Sequence, residues 1–412
     1  MNKMTLSEEL AWRGLIYQTT FKDIKYIDEN KLTVFHGFDA SADSQTIGNL
    51  ASMMIDMCFL RHGHKAIVLA GGATSLIGDA GGKDKERDLQ QEEIIRHNVE
   101  MAKKQIEKIY GNFEFTLVNN IDWFKNMSML EFLRDIGKSF NVSDMIKKDI
   151  VANRIGEGGA GISYTEFSYS LLQGYDFLHL FDNYNCTVQL CGADQWTNCL
   201  AGVELVRKKR DKEVHCITNP LIINKATGKK FGKSEAGAVW LDSAKTSVYD
   251  FYQFWINTDD EGCKEYVKIY TQIEKPEYED LIKQASENPA ERIIQKYLAY
   301  EVTKLVHGKE EADKAKETSE SLFGGGKVNT ENLETFEVSP EFIVEDKINL
   351  VDFLSSGILK SKREARDLIA AGGIYIDDEP TTKTFLEIKS LKNQKEFLVR
   401  VGKKKYYKVI LK

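Results

Sequence analysis

The 412-residue sequence predicts an α/β fold: a parallel sheet with helices in the first half, then an all-helical stretch, then a small α+β module. Three observations carry this. Strand, loop, helix and strand alternate from residue 31 to about 219, the pattern of βαβ units. Strand signals stop near residue 246, beyond which charged and aromatic residues recur at helical spacing to Phe323. A glycine run, GGGKVNTENLE, then precedes INLVDFLSSGILKSKREARDLIAAGGIYID, which reads as two short helices running into a strand.

Taken in order, Leu6 to Tyr17 reads as an amphipathic helix and KLTVFHGF as a strand ending at Gly37. Ile47 to Arg61 is helical, with Leu50, Met53, Met54, Met57 and Leu60 on one side. KAIVLAGGATSLIGDAGG is an apolar strand breaking into a glycine-rich loop, and FTLVNN, VQLC and HCIT are further strands. Residues 89–110 and 128–150 are predicted helical, and 247–322 holds three to five helices.

The stretch 165–198 organises the rest. On a helix Tyr169, Gln173 and Asp176 fall at i, i+4 and i+7 and share a face, with Phe167, Leu171 and Leu178 opposite. The strand TVQLC then runs through Gly192 into Asp194 and Gln195, and polar groups at the carboxyl end of such a strand are where α/β sheets bind ligands. The same positions would equally suit an ordinary helix surface and a helix start.

Composition narrows the classes. A hydrophobic content of 42% suffices for real cores, and no run approaches the eighteen or so uncharged apolar residues a membrane span needs. Six scattered cysteines without a CxxC pair, and an N-terminus lacking an apolar leader, fit a reduced cytoplasmic protein. His62 and His64 form an HxH with no carboxylate or thiol near in sequence, a weak basis for a metal site. Residues 346–412 hold 15 Lys+Arg against 9 Asp+Glu (+6), leaving 41 against 54 (−13) in the first 345. A basic module on an acidic body suits a polyanion partner, or a solvated lysine-rich surface.

GGATSLIGDAGG lacks the GxGxxG spacing of dinucleotide sites, and no GxxxxGK[ST] phosphate loop is present. KKFGKSE places Lys230 and Lys233 in a polar turn, two mobile ammonium groups suited to a developing pyrophosphate charge. With GFDASADS, LAGGATSLIGD, SFNVSDMI, TEFSYSLLQGYDF, VQLCGADQW, KFGKSE and FYQFWINTDD in order, the whole chain resembles the bacterial-type tyrosyl-tRNA synthetases, class I enzymes whose KMSKS signature corresponds to KFGKS here.

That resemblance implies a Rossmann-like parallel-sheet catalytic domain with an inserted helical segment (1–222), the KFGKS loop with an α-helical anticodon-binding domain (223–323), a linker (324–345) and an S4-like RNA-binding domain (346–412). It implies ATP-dependent activation of L-tyrosine and transfer to the 3′ end of tRNA(Tyr) by a homodimer, with Mg2+ carried by ATP and no protein-bound metal. Asp79, Tyr169 and Gln173 are expected to hold the ammonium of tyrosine and Asp176 its phenolic hydroxyl, with Phe35, Asn120 and Gln195 also on the tyrosine side. Gly37, Asp39, Gly48, Asn49, Gly192, Asp194, Gln195 and Ser234 are expected around ATP, Ser41 and Thr46 at the reacting phosphate, and Lys83, Arg87, Lys230 and Lys233 on loops closing over pyrophosphate. Lys362, Arg363 and Arg366, with Lys403, Lys404 and Lys405, are expected to meet RNA phosphates.

Two departures stand out. The family's His-x-Gly-His signature is Thr46-Ile47-Gly48-Asn49, replacing an imidazole by a hydroxyl, and the tyrosine that usually precedes GFD by two residues is Phe35. His36 stands where the family often has a small residue. The alternatives are a diverged duplicate acting on another amino acid or acting slowly, and a non-catalytic RNA-binding protein on the same scaffold.

Overall fold

The computed structural model describes residues 4–79, 90–147, 149–224, 228, 231–234, 237–323, 333–391, 393, 395–402 and 405–411. They fall into two compact units, 1–246 with 255–306, and 247–254 with 307–412.

The first unit is built on a six-stranded sheet of β1 (Gln18–Thr19), β2 (Thr33–Phe38), β3 (Lys65–Ala70), β4 (Thr116–Asn119), β5 (Val188–Gly192) and β6 (His215–Asn219), in the order β1-β6-β5-β2-β3-β4. All neighbours pair parallel except β1, which runs antiparallel along β6. The parallel strands read as continuous apolar runs because helices cover both faces; in β3 every residue after Lys65 is buried. From β2 the chain moves outward to β3 and β4, then returns to place β5 on β2's other side, so β2 and β5 flank a topological switch point.

Each flanking helix has a local reason to start and stop. Helix Tyr164–Tyr184 begins where Ser163 accepts the Glu166 N–H and ends at Asn185, whose φ of 52° is one that asparagine tolerates. It packs Phe177, Leu178 and Leu180 with Phe35, Ile67 and Leu69 of the sheet, each such buried side chain contributing roughly 1.5–3 kcal/mol. Helix Ile47–Arg61 covers the other face and is buried on nearly every side, including Asp56. After the sheet come β7 (Lys233–Ser234) and β8 (Gly237–Ala238), a short hairpin, and the helices Asp260–Tyr270, Lys275–Glu287 and Ile293–His307.

The second unit joins helix Lys309–Phe323 to the expected α+β module. Helices Leu350–Ser355 and Lys362–Ala370 pack on a sheet ordered β13-β12-β15-β16-β9, made of β9 (Thr335–Val338), β12 (Ile374–Ile376), β13 (Glu379–Thr381), β15 (Glu396–Val401) and β16 (Lys405–Leu411). A smaller sheet joins β10 (Ile343–Val344), β11 (Lys347–Asn349) and β14 (Phe385–Glu387). Phe353, Ile369, Ile374, Val399 and Val409 form its core, and Leu333 packs with Tyr249, Leu398 and Tyr406.

Three expectations differ from what is seen. The first helix stops at Arg13 because Gly14 takes the left-handed conformation (φ 73°), and the chain continues as β1. The stretch expected as one helix over 128–150 is helical in short pieces: Met129–Glu131 passes into a π-helix (Phe132–Ile136) and a 3-10 turn (Gly137–Ser139), and helix Val142–Ile146 restarts where Asn141 accepts the Ser143 N–H at 2.9 Å. Within the stretch expected as linker, β9 pairs parallel with β16 and buries Val338, while 324–332 lie outside the described residues.

Candidate active site

The carboxyl ends of β2 and β5 diverge at the switch point, and a cavity of about 210 Å³ opens there. Of the residues singled out in the sequence, Phe35, Gly37, Asp39, Asn49, Asp79, Tyr169, Gln173, Asp176, Gly192 and Gln195 all line it. Gly71 follows β3 where the chain must pass close: a Cβ there would lie 2.4 Å from Thr74 Oγ1 and 2.9 Å from Asp39 Oδ1.

Asp176 is 2% exposed. Trp123 Nε1 donates to its Oδ1 at 2.9 Å and Asn120 Nδ2 to its Oδ2 at 3.1 Å. Asn120 is in turn fixed by accepting the Ala73 N–H at 2.7 Å. Burial pushes the Asp176 carboxyl up to about 8, with the two donors pulling the other way. Phe35 is beside it in the lining, edge-on to Phe177 with ring centroids 5.1 Å apart, and brings no hydroxyl.

Tyr169 donates its hydroxyl to Asp39 Oδ1 at 3.2 Å, and burial together with the charges of Asp39, Asp79 and Asp176 holds its phenol well above the usual range. Gln195 Nε2 donates to Asp79 Oδ2 at 2.8 Å, and Asn198 Nδ2 holds Gln195 Oε1 at 3.0 Å. Three carboxyl groups line the cavity and no described lining residue is Lys or Arg, so it favours a cationic group. Among the described residues no group of three or more His, Cys, Asp or Glu could hold a metal ion. His62 and His64 have separate partners, Glu9 and the Leu32 N–H.

This geometry agrees with what the chain is similar to. Residues 28–324 match the family of class I tRNA synthetases for W and Y, and residues 331–409 match the C-terminal domain of the SYY-like tyrosine–tRNA ligases. The tyrosine–tRNA ligase of Listeria welshimeri is 44% identical over 99% of this chain and 100% of its own length. That of Bacteroides fragilis is 40% identical over 99% and 100%. The chain belongs to the tyrosyl-tRNA synthetase family. Among solved structures, the C-terminally truncated mitochondrial tyrosyl-tRNA synthetase of Aspergillus nidulans is similar with a TM-score of 0.70 and 29% identity, covering 78% of this chain and 95% of that one.

Other expected positions of the synthetase lie around the cavity rather than in it. Thr46 caps helix Ile47–Arg61, and both its N–H and its hydroxyl donate to Asn49 Oδ1, at 3.0 and 2.8 Å. Ser41, Gly48 and Asp194 are exposed and outside the lining. Asn120 lies beneath the cavity, fully buried, and reaches it through Asp176. The KFGKS segment docks on the same helix start: Gly232, at φ +96°, packs on Ile47, and Val239 links them by donating to Gly232 O and accepting from the Ile47 N–H. Lys233 and Ser234 form β7 there, while Lys83, Arg87 and Lys230 lie outside the described residues.

In the second unit Lys362, Arg363 and Arg366 are exposed on one helix whose inner face buries Ala365 and Ile369, although Lys362 Nζ pairs with Asp352 at 2.7 Å. Lys405 is exposed on β16, and Lys403 and Lys404 lie outside the described residues.

Reading the sequence missed Trp123, Thr74, Gly71, Ser52, Gln189 and Cys191. Gln189 Oε1 is buried with no hydrogen-bond partner among the described residues. Its place within β5, three residues before the carboxyl end, was the available signal.

Proposed function

We propose that this chain activates L-tyrosine with ATP, giving tyrosyl-adenylate and pyrophosphate, and then transfers tyrosine to the 3′ end of tRNA(Tyr). The observation that carries the reading is Asp176, a carboxyl buried against Asn120 and Trp123 in an electronegative cavity at the switch point. A phenol entering that cavity donates to Asp176, and the ammonium group of the same amino acid meets Asp79, Tyr169 and Gln173. The tyrosine carboxylate then attacks the α-phosphate of ATP in line: one carboxylate O–P bond forms, the bond to the bridging oxygen breaks, and pyrophosphate leaves.

No nucleophilic side chain is needed, so the protein's task is positioning and charge stabilisation. Asp39, Gly192, Asp194 and Gln195 are assigned to the adenosine and carboxylate side. The N-terminus of helix Ile47–Arg61, with Asn49, favours the phosphates. Lys83, Arg87, Lys230 and Lys233 neutralise the leaving pyrophosphate, and Mg2+ arrives with ATP. In the second step a terminal ribose hydroxyl of tRNA attacks the activated carbonyl and AMP leaves.

The finer partner readings follow. Met129 and Leu130 are 74% and 80% exposed, and Leu133, Val142 and Ile146, near them in the sequence, are exposed as well; so many uncovered apolar side chains within residues 129–146 support homodimer formation. Arg363 and Arg366 support tRNA contact by the second unit. No described helix is long and apolar enough to cross a membrane, and the assigned location is the cytoplasm.

Tyrosine-dependent exchange of pyrophosphate into ATP by the purified chain, compared across several amino acids, tests the reading. Strong exchange with tyrosine alone is expected. Absence of exchange, or equal exchange with phenylalanine, overturns it.

A further inference from the structure

The first helix, Leu6–Arg13, carries a buried ion cluster that has no part in the steps above. Glu9 and Arg13 are 7% and 3% exposed, and Arg13 Nε donates to Glu9 Oε1 at 2.7 Å. Arg61 donates to the same oxygen, and His62 pairs with Glu9 Oε2 at 2.8 Å, so the carboxyl end of helix Ile47–Arg61 is tied to Glu9. Burial alone would push the Glu9 carboxyl up, but the charges of Arg61 and Arg13 and the hydrogen bonds of His62 and Arg13 hold it below its usual value, and it accepts as a carboxylate.

The remaining nitrogens of the Arg13 guanidinium turn to a different helix. Nη1 donates to Lys268 O at 2.5 Å and to Thr271 O at 2.8 Å, and Nη2 to Ile273 O at 2.9 Å. Lys268 lies in the last turn of helix Asp260–Tyr270, so Arg13 caps that helix with a positive charge and pins the turn that follows. Apolar packing would join the two helices without direction. Hydrogen bonds from one planar fork to successive carbonyls also fix how far the second helix slides and rotates.

Both helices tied to the Glu9–Arg13 pair also hold the KFGKS segment. Helix Asp260–Tyr270 supplies Tyr266 and Tyr270, whose ring centroids stand 4.1 and 6.0 Å from that of Phe231, and the Tyr266 hydroxyl donates to Ile223 O at 3.3 Å. Helix Ile47–Arg61 supplies Ile47, on which Gly232 packs. Phe231 is buried, and with Gly232 it stands between Lys230 and Lys233 in the chain. Among the described residues no hydrogen bond of Glu9 or Arg13 runs to helix Tyr164–Tyr184, which carries Tyr169, Gln173 and Asp176. We propose that Glu9 and Arg13 are positioning residues for the KFGKS lysines: they fix the two helices that grip Phe231 and Gly232, and so set where Lys230 and Lys233 stand when pyrophosphate forms. The proposal rests on the reading of those lysines as the groups that meet pyrophosphate.

The test uses the full chain, with single-turnover adenylate formation, tyrosine binding at equilibrium and limited trypsin cleavage in parallel. Arg13→Met keeps a packed stem and removes the fork. It should slow adenylate formation by roughly 10- to 100-fold, the cost of an ångström-scale misplacement, with the Kd for tyrosine unchanged. Arg13→Lys keeps the charge but reaches fewer carbonyls, so it should show the same pattern with a smaller factor, and it serves where Arg13→Met fails to fold. In a chain already carrying Lys230→Ala and Lys233→Ala, Arg13→Met should slow the reaction little further, because the groups it positions are gone, whereas a general loosening would multiply the two effects. Trypsin cleavage after Lys230 and Lys233 should quicken in Arg13→Met relative to cleavage elsewhere in the chain. An unchanged rate of adenylate formation, a matching rise in the Kd for tyrosine, multiplying effects in the background without those lysines, or unaltered cleavage would each overturn the proposal. Absence of adenylate formation in the unmodified chain instead defeats the underlying reading, and the trypsin arm then decides by itself whether Arg13 holds the segment.

Discussion

The Thr46 hydroxyl donates to the Asn49 side-chain oxygen at 2.8 Å, so the first and last residues of the Thr-Ile-Gly-Asn stretch bind each other. The one proton Thr46 can give is committed within the helix cap. A phosphate arriving at this helix start would have to break that bond to use it.

Thr46→Ala is therefore expected to slow adenylation by less than tenfold while costing about 1 kcal/mol of stability as a lost helix cap. Thr46→His, which adds a donor of longer reach, should raise the adenylation rate constant by about 10- to 100-fold with little change in tyrosine affinity. Single-turnover adenylate formation measures both. A large loss in Thr46→Ala would mean the hydroxyl leaves Asn49 during the reaction.

Specificity turns on Phe35 and Asp176. A site that strands a buried polar group when phenylalanine enters rejects it strongly, and the established example of that physics is this same family, with a ratio of about 10⁵. Asp176→Ala should collapse the preference for tyrosine, whereas Phe35→Tyr, which adds a neutral donor at the cavity wall, should widen it by roughly five- to tenfold. The kcat/KM ratio for tyrosine over phenylalanine decides, and a narrower ratio in Phe35→Tyr would show that Phe35, 1% exposed against Phe177, has no room for the hydroxyl.

Asp176 also makes a pH prediction. Its carboxyl is raised from 3.8 to about 8 in the folded chain, so the fold favours the protonated form. That contribution to stability is complete below about pH 4, is lost as pH rises towards 8, and is flat beyond. Asp176→Asn should flatten this decline. Melting temperatures of both proteins from pH 4 to 9 test it, and parallel curves would count against the assignment.

The RNA surface is best tested by point substitution, because removing residues 346–412 would take away β16 and strand β9, its parallel partner. Arg363→Ala with Arg366→Ala should leave pyrophosphate exchange intact, raise the KM for tRNA(Tyr), and reduce the slope of log affinity against log salt by about 2. Unchanged charging at all salt concentrations would remove these residues from the interface.

Residues on regular elements were legible in the sequence; those that act through loops or through the interior were not. Tyr169, Gln173 and Asp176 follow from helical spacing, and the apolar runs of β2, β3 and β5 from their two-sided burial. Trp123 could not be found this way, since it reaches Asp176 from a single helical turn after β4, Ile121–Phe124, too short for any periodicity to fix its direction. Asp56 reads as the polar side of a helix, yet that helix is buried nearly all round. β9 is four residues with two polar side chains, TFEV, too short and too polar to stand out from a linker until a partner strand completes it.

That partner has a consequence for how the sheet closes. β16 follows every other strand of its sheet in the chain, yet it lies inside, between β15 and β9. Until residues 405–411 insert, β9 and β15 present two unpaired edges with a gap one strand wide. Whatever keeps this one strand from its place opens two adhesive edges at once, and the module it leaves is aggregation-prone.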